Sequence, residues 1–182
     1  MASQRKTPTK KTVLWTTAIF MIFVAIGLAF IFRPKLASKP PTSPKGTYVA
    51  PQFKSQGELT LQRTDGTKTH VLEMEIADNP DERQTGMMKR EKMDDNQAML
   101  FIFDNEIIRS FWMSNTLVSL DIIFVNSNQE IVSIEKNAIP YDKSHYWSAE
   151  PARFVVEVVG GFCDEYNITS GDKVTWIRTD KF

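Results

Sequence analysis

Two carboxylates in this sequence stand where carboxylates are costly. Asp121 interrupts the apolar run "LDIIFV" (120–125), and Glu157 sits inside "VVEVV" (155–159). A charge among large apolar side chains costs free energy unless something satisfies it, so each acid either ties the fold together or lines a site. Trp112, Asn115 and Thr116 lie close upstream of Asp121. On a strand, alternate side chains share a face, which puts Asp121 with Ile123 and Val125, opposite Leu120, Ile122 and Phe124. There a half-buried Asp121 would accept from Asn115, Thr116, the Trp112 indole or Arg90. An indole and an amide beside a carboxylate suit a sugar, whose apolar face stacks on the ring while its hydroxyls meet the polar groups. They suit a peptide or a small metabolite equally. The plain alternative is that Asp121 and Asn115 close the 114–119 turn through side-chain-to-backbone bonds.

Glu157 poses the same question, and the two acids could in principle form the acid/base pair of a hydrolase. No hydrolase motif accompanies them, so no catalytic residue is assigned and the reading leans away from an enzyme. Arg83, Lys89, Arg90 and Lys92 could hold a carboxylate ligand. They serve equally as solvated helix-end charges or as partners for Asp121 and Glu157. Met87, Met88, Met93, Met99 and Met113, with His70, His145 and Trp112, offer soft ligands of the kind Cu(I) takes. Methionine also fills irregular core gaps, and without a spaced His/Cys signature neither a metal nor a cofactor is assigned. The single cysteine, Cys163, has no internal disulfide partner and reads as a buried thiol. Tyr146 and Trp147, in the loop "SHYWSAEP", are either the rim of a binding site or a lid on the core.

The elements that must position these groups are mostly strands. Residues 58–76 alternate apolar and polar around Asp65-Gly66, a hairpin signal. Asn79, Pro80 and Glu82 mark the start of a short helix, and Gly86 its end. Strands follow at 98–103, 107–113, 120–125, 130–135, 153–159 and 173–177, with a loop at 141–152 and a short helix within 160–168. The pattern predicts a compact β-rich α+β domain, a partly closed barrel-like sheet with one or two short helices.

The first third of the chain is of another kind. Residues 1–12 are a basic tail. Val13 to Phe32 is a 20-residue apolar run without a charge, long enough as a helix to cross a bilayer's hydrocarbon core. A cleaved signal peptide is the rival reading, but no small-x-small site adjoins the run. Four basic residues flank the run on each side, so charge does not set its orientation. A short tail before a span usually leaves the following domain on the extracytoplasmic side. Residues 33–56 hold five of the nine prolines and read as an extended, semi-stiff spacer. The formal charge of zero conceals a division: nine of the 22 basic residues and no acid lie in 1–56, leaving 13 basic against 22 acidic in 57–182. A domain this acidic is repelled by phosphate backbones, so nucleic acid is not an expected partner.

The segments "RQTGMMKR", "AMLFIF", "FWMSNT", "LDIIFV", "IVSIE" and "VVEVVGG" occur in an order that resembles the domain-of-unknown-function-192 family, over about residues 57–180. The resemblance implies a small β-rich domain and brings no catalytic residues with it. Two positions depart from the pattern it implies: Ala98 stands where the family usually has Gly, and Ser119 where it usually has Pro. The expectation from the whole chain is a single-pass, membrane-anchored domain on the extracytoplasmic side that binds a small ligand or glycan. The alternative is a structural or assembly partner of a membrane protein complex. Beyond the bilayer at 13–32, the partner is an unidentified small ligand or protein. The ligand residues expected are Trp112, Asn115, Thr116, Asp121, Arg90 and Glu157.

Overall fold

Leu59, Leu61, Leu72 and Met74, the apolar positions of the predicted hairpin, are all fully buried. Strands β1 (Gly57–Gln62) and β2 (Lys68–Ala77) pair antiparallel. The turn between them is closed by Arg63 and Thr67, and Gly66 takes a φ of +85° that a side chain would strain. The computed structural model describes residues 50–179, without the side chains of Lys68 and Thr69. The expected anchor at 13–32, the basic tail and most of the linker lie outside the described residues. No helix among the described residues is long and apolar enough to cross a membrane.

Helix α1 (Pro80–Thr85) begins and ends as its residues predict. The Asn79 side chain accepts from the Glu82 amide at 3.0 Å, Pro80 fills the first turn, and the Gly86 amide donates to the Glu82 carbonyl at 2.8 Å. The Glu82 carboxylate accepts from the Asp78 amide rather than from Asn79, so the capping box closes one residue early. Strand β3 (Gln97–Ile107) then runs parallel to β2. Parallel neighbours need a crossover, and residues 78–96 supply it.

The remaining elements are β4 (Ser110–Phe111), β5 (Leu120–Val125), β6 (Ile131–Ala138), β7 (Tyr146–Trp147), β8 (Ala152–Val159), α2 (Phe162–Glu165) and β9 (Lys173–Arg178). Seven of the strands form one sheet in the order β6-β5-β8-β3-β2-β1-β9, and β4 pairs with β7 separately. The expected strand at 107–113 is therefore two pieces, and the expected loop at 141–152 contains β7. The sheet is open. Its edge strands β6 and β9 meet only near one corner, through the Glu130–Lys173 bridge and backbone bonds among Gln129, Ile131, Gly171, Asp172 and Val174. The described residues thus form a β-rich α+β domain with two short helices and an unclosed sheet.

Strand alternation sorts the core into two clusters. Ile123, Val125, Val156 and Val158 join Leu59, Met74, Phe162 and Cys163 on one face. Leu120, Ile122, Phe124 and Val155 join Met87, Met93, Met99, Phe101 and Met113 on the other. Burying both faces explains why β5 and β8 read as nearly continuous apolar runs.

Candidate functional site

Glu157 stands on β8, flanked in register by Met99 of β3 and Ile122 of β5. Both neighbours belong to the second cluster, so Glu157 projects onto the methionine-rich face. It is only 4% exposed, and its Oε2 atom has no hydrogen-bond partner. Burial pushes its carboxyl up to about 8, against a smaller opposing pull from Arg90. Above it lies a recess of about 30 Å³ walled by Gly86, Met87, Phe101, Phe111, Trp112 and Thr116, among others.

The crossover shapes this recess. Gly86 ends α1 at φ +44°, and a Cβ there would sit 3.1 Å from the Phe101 ring and 4.0 Å from Glu157 Oε2. The missing side chain keeps the space over the carboxyl open. Thr85 and Gly86 also wall a second, larger cleft of about 340 Å³, which Arg90, Glu75, Gln56 and Met99 help to line. Phe111 packs edge-on against Phe101, Phe103 and Phe124, which holds β4 over the core. Trp112, next along the chain, is 48% exposed and stacks on His145, which in turn lies against Trp147. The Ser110 hydroxyl and His145 Nδ1 are 2.6 Å apart, which fixes that ring. Tyr146 is partly buried and bonded to Asp142, whereas Trp147 is exposed.

Of the six ligand residues expected, three meet here: Trp112, Thr116 and Glu157. Arg90 borders the adjoining cleft. Both of its terminal nitrogens grip the Glu75 carboxylate, at 2.7 and 2.8 Å, so its partner is Glu75 and not Asp121. Its Nε is buried without a partner. Asn115 is exposed, with φ at +60°, and its carbonyl accepts from the Lys89 amide.

Asp121 belongs elsewhere. Its register partner is Val158, on the opposite face of the sheet from Glu157. It is fully buried rather than half-buried. It accepts from the amides of Asn137 at 2.7 Å, Gly161 at 3.1 Å and Cys163 at 2.8 Å. A bulge in β6 makes this possible. Register passes from Leu120–Ala138 to Ile122–Glu135, and Asn137 sits at φ +52° with its amide turned out of the ladder. Asp121 thus joins β5, β6 and the start of α2 as a structural tie. It meets neither Trp112 nor Asn115 in a polar niche, and an Asp121/Glu157 acid/base pair is excluded by the sheet itself.

The other candidates resolve similarly. Arg83 donates to the carbonyls of Asp78 and Ile102, and Lys92 pairs with Asp94. Met87, Met93, Met99 and Met113 pack within the second cluster, while His70 lies against Phe162 and Tyr166, whose cluster covers the other face. Cys163 is buried, and burial together with the Asp121 carboxylate pushes its thiol up. The Ser119 hydroxyl donates to the Ala138 carbonyl at 3.1 Å, and the Ser119 carbonyl accepts from Gly160 at 2.9 Å. The turn is held by these bonds in place of a proline ring.

Gly86, Phe101 and Phe111 were not singled out as site residues from the sequence. Gly86 reads as a helix stop, which it also is, and the aromatics read as core. Glu75 alternates with Leu72, Met74 and Ile76 and therefore reads as a solvent-facing strand residue. Only the crossover brings Arg90 over it.

Several proteins are similar to this chain. Curated UPF0127 proteins from Thermococcus sibiricus and Pyrococcus furiosus are 30% and 26% identical over 120 and 123 residues. Each alignment covers 65% of this chain, and 74% and 97% of the two relatives respectively. A crystal structure from Sinorhizobium meliloti, described as that of a proposed transcription regulator, is 29% identical with a TM-score of 0.65, covering 71% of this chain and 97% of that one. One from Novosphingobium aromaticivorans, described as of unknown function, is 35% identical with a TM-score of 0.64, covering 71% and 91%. The family model for DUF192, an uncharacterised group, matches residues 61–176. This chain belongs to the domain-of-unknown-function-192 family.

Proposed function

We propose that the domain is a small-ligand-binding module that receives a polar group of its ligand in the recess over Glu157 and lays the rest of the ligand against Trp112. One observation carries the reading: a nearly fully buried carboxyl has an unpartnered oxygen beside an open recess. Leaving such a group unsatisfied is costly, and a ligand donor removes the cost. A half-exposed indole at the rim suits a sugar ring or another flat apolar face. Two further parts of the proposal rest on sequence alone: the apolar run Val13–Phe32 anchors the protein in a bilayer, and the proline-rich spacer holds the domain off it on the extracytoplasmic side.

The test is calorimetric titration of the full-length protein in detergent with glycosides and short peptides, repeated with Trp112→Ala. The expected result is millimolar or tighter binding to one class, weakened at least about tenfold by the substitution, which corresponds to about 1.4 kcal/mol. Absence of binding to every probe would remove the reading.

A second reading has its own support. Ile107, Ile108, Ile139, Tyr141 and Trp147 are each 46% or more exposed, and exposed apolar surface of this kind suits a protein partner. An assembly role predicts capture of a membrane complex that Trp147→Ala weakens and Glu157→Gln leaves intact.

A further inference from the structure

We infer that the ligand carries a carboxylate, held by Arg83 and Arg109, the two guanidiniums that lie over the Phe103 ring. The inference rests on the ligand-binding reading above and specifies the chemistry of the ligand.

Phe103, on β3, packs edge-on against Phe111. Arg83 reaches it from the last turn of α1, and Arg109 from the connection between β3 and β4. Their Cζ atoms lie 5.2 and 3.8 Å from the ring centre. An aromatic face attracts one cation, but two cations on one ring repel each other. Burial and then the charge of Arg83 push the Arg109 guanidinium down.

No acid of the chain offsets this pair. Arg109 is 8% exposed, as is Arg90. Arg90 holds the Glu75 carboxylate on both terminal nitrogens, whereas no ion pair among the described residues includes Arg109 or Arg83. The acids close by in the chain are engaged elsewhere or stand in solvent. Asp78, whose carbonyl accepts from Arg83, gives its carboxylate to Arg178. Glu106 accepts from Ser127, and Asp104 is exposed. Buried charges are ordinarily paired, and the carbonyls around these two guanidiniums fix their positions without neutralising them.

The donors left over have the right shape. Arg109 Nε donates to the Ala152 carbonyl at 2.9 Å, and its Nη2 to the carbonyl and side-chain oxygens of Asn105. Arg83 uses Nη1 alone, on the carbonyls of Asp78 and Ile102. Arg109 Nη1 and the Nε and Nη2 of Arg83 therefore have no acceptor among the described residues, and each keeps access to solvent. The Nε–Nη2 edge of a guanidinium presents two parallel N–H groups that match the two oxygens of a carboxylate. Arg83 also walls the recess together with Phe111 and Trp112, so a carboxylate on that edge would belong to a ligand lying against the indole.

The domain's own field selects among anions. Residues 57–182 hold 22 acids against 13 bases, which opposes an anion from a distance. Salt screens that opposition, and it weighs about twice as heavily on a phosphate dianion as on a carboxylate.

The probes are two matched pairs, methyl glucuronide with methyl glucoside and N-acetylphenylalanine with its amide, together with glucose 6-phosphate. Each is titrated into full-length protein at neutral pH in a detergent without a sugar headgroup. The expected result is that the carboxylate of one pair binds at least about tenfold more tightly than its neutral partner and than the phosphate. That ratio should shrink as salt is raised from about 0.02 to about 0.5 M. Arg83→Gln should bring the ratio close to one, and Arg83→Lys, which keeps the charge without the two-pronged edge, should restore only part of it. A ratio near one in both pairs, or tighter binding of the phosphate, would overturn the inference and leave the ligand-binding reading standing. So would an Arg83→Gln variant that keeps the wild-type ratio. If Arg83→Gln does not fold, salt decides: a wild-type ratio that salt leaves unchanged overturns the inference. If no probe binds while another glycoside or peptide does, the inference falls alone. If nothing binds, both readings fall.

Discussion

Asp121 and Glu157 lie on neighbouring strands and point to opposite faces of the sheet, because Ile122 and not Asp121 is the residue in register with Glu157. The two acids accordingly live in different chemistry. Asp121 is saturated by three backbone amides, while Glu157 has an orphaned oxygen. Removing them should have opposite effects on stability.

Asp121→Ala leaves three buried amides without an acceptor, and the expected loss is about 3–5 kcal/mol of folding stability. Asp121→Asn keeps one acceptor oxygen and should lose less, about 1–3 kcal/mol. Urea unfolding of the full-length protein followed by tryptophan fluorescence measures both. A loss under about 0.5 kcal/mol for Asp121→Ala would refute the structural role.

Glu157 makes stability depend on pH. Its carboxyl is raised to about 8 in the folded protein from 4.5, so the folded state holds a proton that the unfolded chain releases. The stabilising effect of the neutral form is complete below about 4.5 and is lost as pH rises through about 8, for a total on the order of a few kcal/mol. Glu157→Gln should therefore flatten the melting temperature between pH 5 and 9 and raise it most at the alkaline end. Parallel melting curves for variant and wild type would contradict the buried, unpaired state.

Gly86 is strained for any other residue. Gly86→Ala would place a methyl group 3.1 Å from the Phe101 ring at φ +44°, at a cost of about 1–3 kcal/mol. The same methyl narrows the recess. Ligand affinity should fall by more than the loss of stability explains, as calorimetry at 10 °C, well below melting, would show. A variant that binds as well as the wild type would show that the recess is not where the ligand sits.

Arg90 and Glu75 form the most buried ion pair found among the described residues, with side chains 9% and 16% exposed. Arg90→Lys loses the two-pronged grip and should cost about 1–2 kcal/mol. Arg90→Leu leaves Glu75 uncompensated and should cost about 3–5 kcal/mol. It also removes the cation that holds Glu157 down. Infrared titration of the buried carboxyl should then place its midpoint above about 8. An unchanged midpoint would mean that Arg90 does not act on Glu157.

The elements were legible in the sequence because each carries local signals: alternation in β1 and β2, the Asn79 cap, and the Gly66 turn. The buried carboxylates were legible as anomalies. Which of them was structural was not, because the answer depends on pairing between β5, β6 and β8, and on a bulge at Asn137 that no local pattern announces. The grouping of Asp121 with Trp112 followed from nearness in sequence. Register, which is set by distant strands, sends Asp121 to the other face and brings Glu157 to Trp112 instead.

Strand β8 joins β5 to β3, so without it the sheet is left as two groups of strands that meet only at the corner between β6 and β9. Of the nine strands among the described residues, β8 is also the next-to-last to be synthesised. A nascent chain ending before residue 152 would hold the β5–β6 pair and the β1–β2–β3 group with nothing between them, each exposing an unpaired strand edge. Because Glu157 lies on that same late strand, the recess over it cannot form before β8 joins β5 to β3, and a truncated product would lack both together.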